Sequence, residues 1–563
     1  MLPLSLEARA VARPLPQIAS FLLALIAAHA GLAVAGPSDA PSSLAAVLPR
    51  PVPTDSPAQS VPTDRFNSLA AAVPTDSPTQ PVPADTRHEP DWPTTIAARL
   101  AALRAHPRPL PAAEAQDARL LALRQQLAAV VRRTGGARIG VHVRDLDSGR
   151  ALFDHRGAEH YNPASNQKLV TAIAAVELLG PNYRFATRVQ RVDDALILVG
   201  EGDPSLQLAD LHALASDIVA AGAHRGVRQI LVDDSAFSPE RYGPGSSAQG
   251  DGASYTAPSG ALSLAFNTAV ATIRPTTPGQ PASVDLTPAS AHLRLQGEIR
   301  TGRGRELRVV SRDADDLTVF ELDGALPAGH APVTVRRRVA DPGLFTGHAF
   351  AELLRQLADS TDATPLPVTR GRAPAHARDL AIHHSAPLVQ VLASSLKFSN
   401  NFTSEQILRT LGWRMSGAPG SWHTGRLAVL ALWSALGLDP ADLEFENGAG
   451  LSRHGRVSPR ALVALLARTR EQGSPAAALM PTLASAGGEG TLRRRLTASD
   501  GRVRGKTGTI SGVSALSGVA ASADGRAALG FSVLINGDGP ATHHRRVQDR
   551  VVLALLAHLD RKP

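Results

Sequence analysis

The chain contains the stretch Asn162-Pro-Ala-Ser-Asn-Gln-Lys-Leu-Val-Thr-Ala-Ile-Ala-Ala-Val-Glu-Leu-Leu179. It combines an S-x-x-K motif with the residue pattern of a helix. Its apolar residues recur with helical spacing and Gly180-Pro181 ends the pattern, which predicts a helix. Ser165 would lie at the helix start, with Lys168 on the same face. Ser165 is a candidate nucleophile and Lys168 its candidate base, if burial and a second cation lower the pKa of the lysine. Alone, S-x-x-K also fits an ordinary helix cap.

Lysine is rare in this chain. Only four of the 58 Lys and Arg residues are lysines, and they are Lys168, Lys397, Lys506 and Lys562. An ammonium can lose its proton in a buried site, whereas a guanidinium cannot. The first three lysines therefore call for a chemical explanation, while Lys562, near the last residue, is interpreted as incidental.

The second motif is Lys397-Phe398-Ser399-Asn400-Asn401, which lies between two helical patterns. A hydroxyl, an amide and an ammonium in one turn could relay a proton and hold a substrate carbonyl. The alternative is a helix cap, because Ser and Asn favour caps and turns.

The third motif is Lys506-Thr507-Gly508-Thr509, which precedes a β-like stretch. A strand edge here could pair with an extended peptide, and Gly508 would permit close approach. Lys506 and Thr507 could bind a terminal carboxylate. The alternative is a surface strand with a single lysine.

In this order, S-x-x-K, S-x-N and K-T-G resemble the triple motif of active-site-serine penicillin-binding proteins and β-lactamases. Ser165 and Ser399 are 234 residues apart, and Ser399 and Lys506 are 107 apart. With a large insert after the serine helix, the chain resembles the low-molecular-mass class C penicillin-binding proteins. These proteins are D-alanyl-D-alanine carboxypeptidase/endopeptidases. The resemblance covers about residues 115–560. It is also carried by Gly200-Glu-Gly-Asp-Pro-Ser-Leu206, Val232-Asp-Asp-Ser-Ala-Phe237, Tyr255-Thr-Ala-Pro258, Asn447-Gly-Ala-Gly-Leu-Ser-Arg453 and Gly490-Thr-Leu-Arg-Arg-Arg495. Asn400 departs from the common S-D-N pattern at a variable position.

The resemblance implies a serine-type hydrolase that acts on peptidoglycan stem peptides through an acyl-enzyme. Ser165 would attack the carbonyl of the penultimate D-Ala, and Lys168 would take the serine proton. Ser399 and Lys506 would pass a proton to the leaving amine, and Asn401 would hold the acyl-side amide.

The same resemblance implies the binding groups. Backbone N–H groups of Ser165 and Thr509 would form the oxyanion hole, and Thr507 and Thr509 would contact the substrate carboxylate beside Gly508. β-Lactams would be inhibitors, and no cofactor or metal is implied.

The predicted fold class is α+β, with an antiparallel sheet flanked by helices as in the penicillin-binding-protein/serine β-lactamase-like transpeptidase domain. Residues 94–184 and 366–563 would form the two parts of this peptidase domain. Residues 185–365 would form an inserted, β-rich region, since short β-like runs alternate there with Gly/Pro-rich loops.

The N-terminal region reads as a targeting segment followed by a spacer. Basic residues precede an apolar stretch that ends in Ala33-Val34-Ala35, which is typical of a secretory signal at 1–35. Residues 36–93 are Pro-rich and repeat Val-Pro-Thr-Asp, as in a disordered linker. We therefore expect export to the periplasm or cell envelope with no stable membrane span after signal cleavage. An uncleaved anchor is the alternative.

Composition excludes other classes of function. The chain has 563 residues and no cysteine, which rules out disulfides, iron–sulfur clusters and a cysteine nucleophile. The net charge of +8 is dispersed, so nucleic-acid binding is not expected. No H-E-x-x-H, P-loop or dinucleotide motif occurs. Two alternatives stay open, namely an inactive wall-binding protein of the same fold and a β-lactamase or other serine hydrolase.

Overall fold

The computed structural model of the chain describes residues 90–105, 118–247, 249–358 and 365–560. These residues all belong to one unit, Thr63–Pro563. The expected signal segment at 1–35 and all but the last four residues of the expected linker at 36–93 lie outside the described residues.

Helices lie at both ends of the described part of the chain and in its middle. They are α1 Trp92–Ala105, α2 Ala118–Val131, α3 Gln167–Leu178, α4 Leu208–Ala220, α5 Pro342–Leu357, α6 Leu388–Phe398, α7 Asn401–Ser416, α8 Trp422–Ala435, α9 Pro459–Ala467 and α10 Ala541–Asp560.

The strands of the described ranges vary in length from two residues to the ten of Leu317–Leu326. They are β1 Arg138–Asp145, β2 Ala151–His155, β3 Ala186–Val192, β4 Ala195–Gly200, β5 Gln229–Asp233, β6 Thr268–Arg274, β7 Ser283–Thr287, β8 Leu293–Gly297, β9 Arg300–Thr301, β10 Leu307–Ala314, β11 Leu317–Leu326, β12 Val333–Arg338, β13 Val368–Arg370, β14 Arg378–His384, β15 Leu443–Glu444, β16 Arg456–Val457, β17 Ala484–Ser485, β18 Val503–Ile510, β19 Val513–Ala521 and β20 Ala528–Asn536.

One six-stranded antiparallel sheet joins the two ends of the described chain. Its strand order is β17-β18-β19-β20-β1-β2. The alternating apolar and polar residues of 139–153 predict the hairpin β1–β2, and this hairpin pairs with the C-terminal strand β20. Helices α2 and α10 pack on this sheet, with Leu127 and Val551 fully buried in the shared core. An antiparallel sheet covered by helices is the α+β architecture expected from the sequence.

Helix α3 is the central helix of a second apolar core. All twelve of its residues are buried, and α6, α7, α8 and α9 contribute side chains to the same core. Because α3 has no exposed face, its position is fixed by packing on all sides, and so is the position of the serine turn before it.

The middle of the chain has its own apolar core, which runs from Val189 to Ala381. A mixed sheet of order β13-β5-β4-β3-β14 and smaller sheets built from β6–β12 surround it. Helices α4 and α5 also lie here, although the sequence reading expected only strands and loops. We propose that this region is the predicted insert, and strands β13 and β14 extend it beyond residue 365.

The region from about 94 to 133 is also predicted to be helical, because its apolar residues form a stripe with helical spacing, namely Leu120, Leu121, Leu123, Leu127, Val130 and Val131. Two helices, α1 and α2, occupy it, and residues 106–117 between them are outside the described ranges. Leu121, expected in the apolar stripe, is 51% exposed, whereas its neighbours Leu120 and Leu123 are buried. Across the described ranges, none of the helices is both long and apolar enough to cross a membrane.

Candidate active site

Ser165 lies in a turn rather than in the helix itself. Residues Ala164–Asn166 form a 3₁₀ turn that leads into α3. Ala164 has a positive φ of 45°, and its N–H donates to Asn162 Oδ1 at 2.9 Å. The turn leaves Ser165 half-buried at the surface while Lys168, three residues on, points into the protein.

The Lys168 amine is enclosed by three oxygen atoms. Its Nζ lies 3.0 Å from Ser165 Oγ, 2.8 Å from Asn401 Oδ1 and 2.7 Å from the Ala449 carbonyl oxygen. The side chain has no exposed surface. Burial lowers the pKa of Lys168 to about 7, and the negative charge of Glu405 opposes this shift. The amine can therefore be neutral near physiological pH.

The S-x-N motif forms the connection between two helices. Helix α6 ends before Ser399, which adopts the left-handed conformation with φ 64°. Asn400 caps α7, since its side chain accepts a hydrogen bond from the Thr403 N–H at 3.0 Å. Asn401 accepts from Lys168 and donates through Nδ2 to the Tyr255 carbonyl oxygen at 3.0 Å. The motif therefore contains both a helix-cap residue, Asn400, and a residue that contacts the Lys168 amine, Asn401.

Lys506 faces the same site from strand β18. Its Nζ donates to Ser399 Oγ at 2.9 Å and to the Thr507 carbonyl oxygen at 2.8 Å, and the side chain has no exposed surface. Burial lowers the pKa of Lys506 far below its ordinary value, and the charge of Lys168 lowers it further. The effect of a second cation, expected on Lys168, acts here on Lys506 instead.

The rest of the K-T-G motif lies along the strand beside the serine turn. Strand β17 pairs only with Arg504 and Gly505, so it does not cover the motif. Thr507 Oγ1 donates to Thr491 Oγ1 at 2.8 Å, and Thr509 is exposed. A Cβ atom on Gly508 would lie 2.8 Å from the Pro163 carbonyl oxygen, so only glycine permits this approach.

The structure thus brings five predicted residues together in two hydrogen-bonded groups. Ser165, Lys168 and Asn401 form one hydrogen-bonded group, and Ser399 and Lys506 form the other. A hydroxyl beside an amine of lowered pKa can be deprotonated for nucleophilic attack, and a second hydroxyl–amine pair can supply a proton.

Lys397 lies outside this cluster. Its Nζ makes an ion pair with Glu489 Oε2 at 2.7 Å. Although Lys397 is next to the S-x-N motif, it does not contact Ser165, Lys168, Ser399 or Lys506 in the hydrogen bonds described above. The scarcity of lysine in the chain was therefore a poor reason to expect a chemical role for Lys397.

Sequence reasoning missed two further groups at the site. The Ala449 carbonyl is a backbone acceptor that no side-chain pattern reveals. Glu405 follows Asn401 by four residues, and this helical spacing places it on the same face of α7, which was an available signal. In the described ranges, no group of three or more His, Asp or Glu side chains is placed to hold a metal ion.

Comparison with known proteins agrees with this geometry. Residues 123–557 match the D-Ala-D-Ala carboxypeptidase 3 (S13) family. A D-alanyl-D-alanine carboxypeptidase of Actinomadura sp. (strain R39) is 36% identical over 474 residues, which is 79% of this chain and 86% of that protein.

Solved structures show the same fold. Penicillin binding protein 4 of Haemophilus influenzae superposes with a TM-score of 0.62 at 22% identity, over 77% of this chain and 99% of that one. Its complex with a β-lactam superposes with a TM-score of 0.61, also at 22% identity, over 76% and 98% of the two chains. These matches confirm the predicted fold class, and the family match confirms the predicted serine-type carboxypeptidase. The chain therefore belongs to the D-Ala-D-Ala carboxypeptidase 3 (S13) family.

Proposed function

We propose that this chain hydrolyses the terminal D-Ala-D-Ala bond of peptidoglycan stem peptides through an acyl-enzyme on Ser165. The observation that carries the proposal is the Lys168 amine, fully buried and 3.0 Å from Ser165 Oγ. Family membership supports the reaction class, and the geometry supports the assignment of each role to a residue.

In the acylation step, Lys168 acts as the general base. A neutral amine has two N–H donors and one lone pair. The donors match Asn401 Oδ1 and the Ala449 carbonyl oxygen, which leaves the lone pair for the Ser165 hydroxyl proton. As Ser165 Oγ bonds to the carbonyl carbon of the penultimate D-Ala, its proton moves to Lys168 Nζ.

The leaving group is the amine of the last D-Ala. When its C–N bond breaks, the nitrogen needs a proton, which the Ser399 hydroxyl supplies and recovers from Lys506 Nζ at 2.9 Å. The proton taken up by Lys168 then passes to the neutral Lys506, so both amines return to their starting protonation states in the acyl-enzyme. The ester is hydrolysed when water attacks its carbonyl carbon and gives a proton to the neutral Lys168, which passes that proton to Ser165 Oγ as the C–O bond breaks.

Strand β18 serves as the binding edge. An extended peptide can pair with the strand beyond Gly505, where β17 ends. The N–H groups of Ser165 and Thr509 would hold the developing oxyanion, at about 3–4 kcal/mol per donor. Thr507 and Thr509 would contact the terminal carboxylate, and the Asn401 amide would hold the acyl-side amide.

A β-lactam ring presents a strained amide to the same nucleophile. The complex of the Haemophilus influenzae protein with a β-lactam supports the expectation that such compounds acylate Ser165. Because the substrate is wall peptidoglycan, the protein would act in the periplasm or cell envelope, as the apolar N-terminal stretch also suggests.

The test is mass spectrometry of stem peptides after incubation with the purified chain. Loss of one Ala from pentapeptides is expected for the wild type and not for Ser165→Ala. Conversion of cross-linked dimers to monomers would show endopeptidase action at the same site.

Labelled penicillin separates the rival functions. A stable adduct on Ser165 is expected. Rapid turnover would indicate a β-lactamase, and absence of both adduct and hydrolysis would indicate an inactive wall-binding protein.

A further inference from the structure

A carboxylate outside the three motifs lies directly behind the reacting groups. Glu405 is on α7, one turn after Asn401, and only a small part of the residue is exposed. Its Oε1 accepts from the Ala449 N–H at 2.8 Å. Its Oε2 accepts from the Gly448 N–H at 3.0 Å and from Trp422 Nε1 at 2.7 Å.

All three partners of this carboxylate are donors. A protonated carboxyl would place an O–H against an N–H, so the arrangement fits the ionised form. Burial raises the pKa of Glu405, while the three hydrogen bonds and the Lys168 charge oppose that rise.

Glu405 and Lys168 meet at one residue. The N–H of Ala449 is held by Glu405, and the carbonyl of Ala449 is held by Lys168 at 2.7 Å. The neighbouring Gly448 carbonyl accepts from Thr171 Oγ1 at 2.9 Å, which ties the same loop to the serine helix. We propose that Glu405 is a positioning residue with two effects on the Lys168 amine. It fixes the loop of residues 448 and 449, whose Ala449 carbonyl oxygen holds the amine in place, and its negative charge keeps the amine basic. This inference rests on the proposed function.

The charged groups around Lys168 are few in the described ranges. Glu405 faces it from α7 and Lys506 faces it from β18, while Ser165 and Asn401 are neutral. Arg409, one turn beyond Glu405, lies behind the carboxylate with its guanidinium 4.5 Å from the Trp422 ring centroid. A carboxylate favours the ammonium form of Lys168, so it keeps the amine more basic than burial alone would.

Two substitutions separate charge from geometry. Glu405→Gln removes the charge and turns an amide NH₂ toward one of the backbone N–H donors. Glu405→Asp keeps the charge but is one methylene too short to hold the loop. Glu444→Gln, at the exposed position of strand β15, removes the same charge away from the site and is the matched control.

The measurement is the rate of Ser165 acylation by fluorescent penicillin as a function of pH, with thermal unfolding to confirm that each variant is folded. For Glu405→Gln we expect the acid limb of the pH–rate profile to move about one pH unit lower, because the pKa of Lys168 falls when the nearby negative charge is removed. We expect the plateau rate at high pH to fall about tenfold, because a weaker base accepts the serine proton less readily. For Glu405→Asp we expect a similar fall in the plateau with the limb unmoved. Glu444→Gln should match the wild type.

A purely structural role would lower the rate of Glu405→Gln equally at every pH, and an unmoved limb overturns the proposal. If Glu405→Gln does not fold, Glu405→Asp decides, since a wild-type plateau there also overturns it. Labelling that persists in Ser165→Ala would instead refute the proposed function, which keeps the two failures distinguishable.

Discussion

Gly508 packs directly against Ser165, and a Cβ atom at position 508 would lie 2.9 Å from the Ser165 backbone nitrogen. Real Cβ contacts of this length require one of the two segments to shift. Because Gly508 has no side chain, the K-T-G strand can lie directly against the serine turn. A larger residue at position 508 would increase the distance between Ser165 and the strand that binds the substrate.

We predict that Gly508→Ala lowers penicillin acylation at least tenfold and destabilises the fold by about 1–3 kcal/mol, because overpacking displaces the serine turn. Stopped-flow labelling and urea unfolding measure the two effects. Gly302→Ala is the control, since an added Cβ there meets nothing within 4 Å. Wild-type acylation in Gly508→Ala would show that the turn moves without consequence.

Lys168 and Lys397 offer a matched pair of substitutions. Lys168→Arg should abolish acylation, since a guanidinium cannot give up its proton and does not fit the pocket of three acceptors. Lys397→Arg should keep wild-type labelling, because an arginine can still pair with Glu489. Gel fluorescence with labelled penicillin gives both results. Appreciable labelling of Lys168→Arg would remove Lys168 as the base.

The pKa of Lys168 sets the pH dependence of acylation. Burial lowers this pKa to about 7, and only the neutral amine can accept the serine proton. The acylation rate should therefore rise tenfold per pH unit below about pH 7 and level off above it. Single-turnover acylation between pH 5 and about pH 9 tests this. A rate that still climbs steeply at the upper end would mean that the lysine keeps an ordinary pKa.

The three motifs were readable from the sequence because their chemistry is local. Ser165 and Lys168 are three residues apart, and their contact follows from that spacing once a helical turn is assumed. The contact between Ser399 and Lys506 spans 107 residues and no spacing implies it, so it was accessible only through the resemblance.

Other features had no local signal. The left-handed conformation of Ser399 and the carbonyl of Ala449 are backbone properties, and side-chain patterns do not report them. Helices α4 and α5 were missed because short apolar runs between Gly and Pro do not separate strand from helix. Lys397 is a case in which the sequence predicted too much. Its rarity and its place beside a motif indicated a chemical role, but the structure shows an ion pair with the exposed Glu489.

Arg409 connects the helix of the S-x-N motif to the segment that carries Tyr255. Its guanidinium lies 4.5 Å from the ring centroids of both Phe237 and Trp422. It also donates to the backbone carbonyl oxygens of Ser238, Glu240 and Ser259, which belong to that segment, and of Gly420, which lies between α7 and α8. A fully buried cation with this many acceptors acts as a packing centre.

We predict that Arg409→Lys lowers the free energy of unfolding by about 3 kcal/mol, because a single ammonium cannot reach carbonyls arranged for a planar fork and leaves several of them without a donor. Urea unfolding followed by tryptophan fluorescence measures the loss. Arg426→Lys, on the exposed face of α8, is the control and should stay within about 0.5 kcal/mol of the wild type. Equal stability of the two variants would mean that the stacking and the carbonyl contacts of Arg409 contribute nothing beyond its charge.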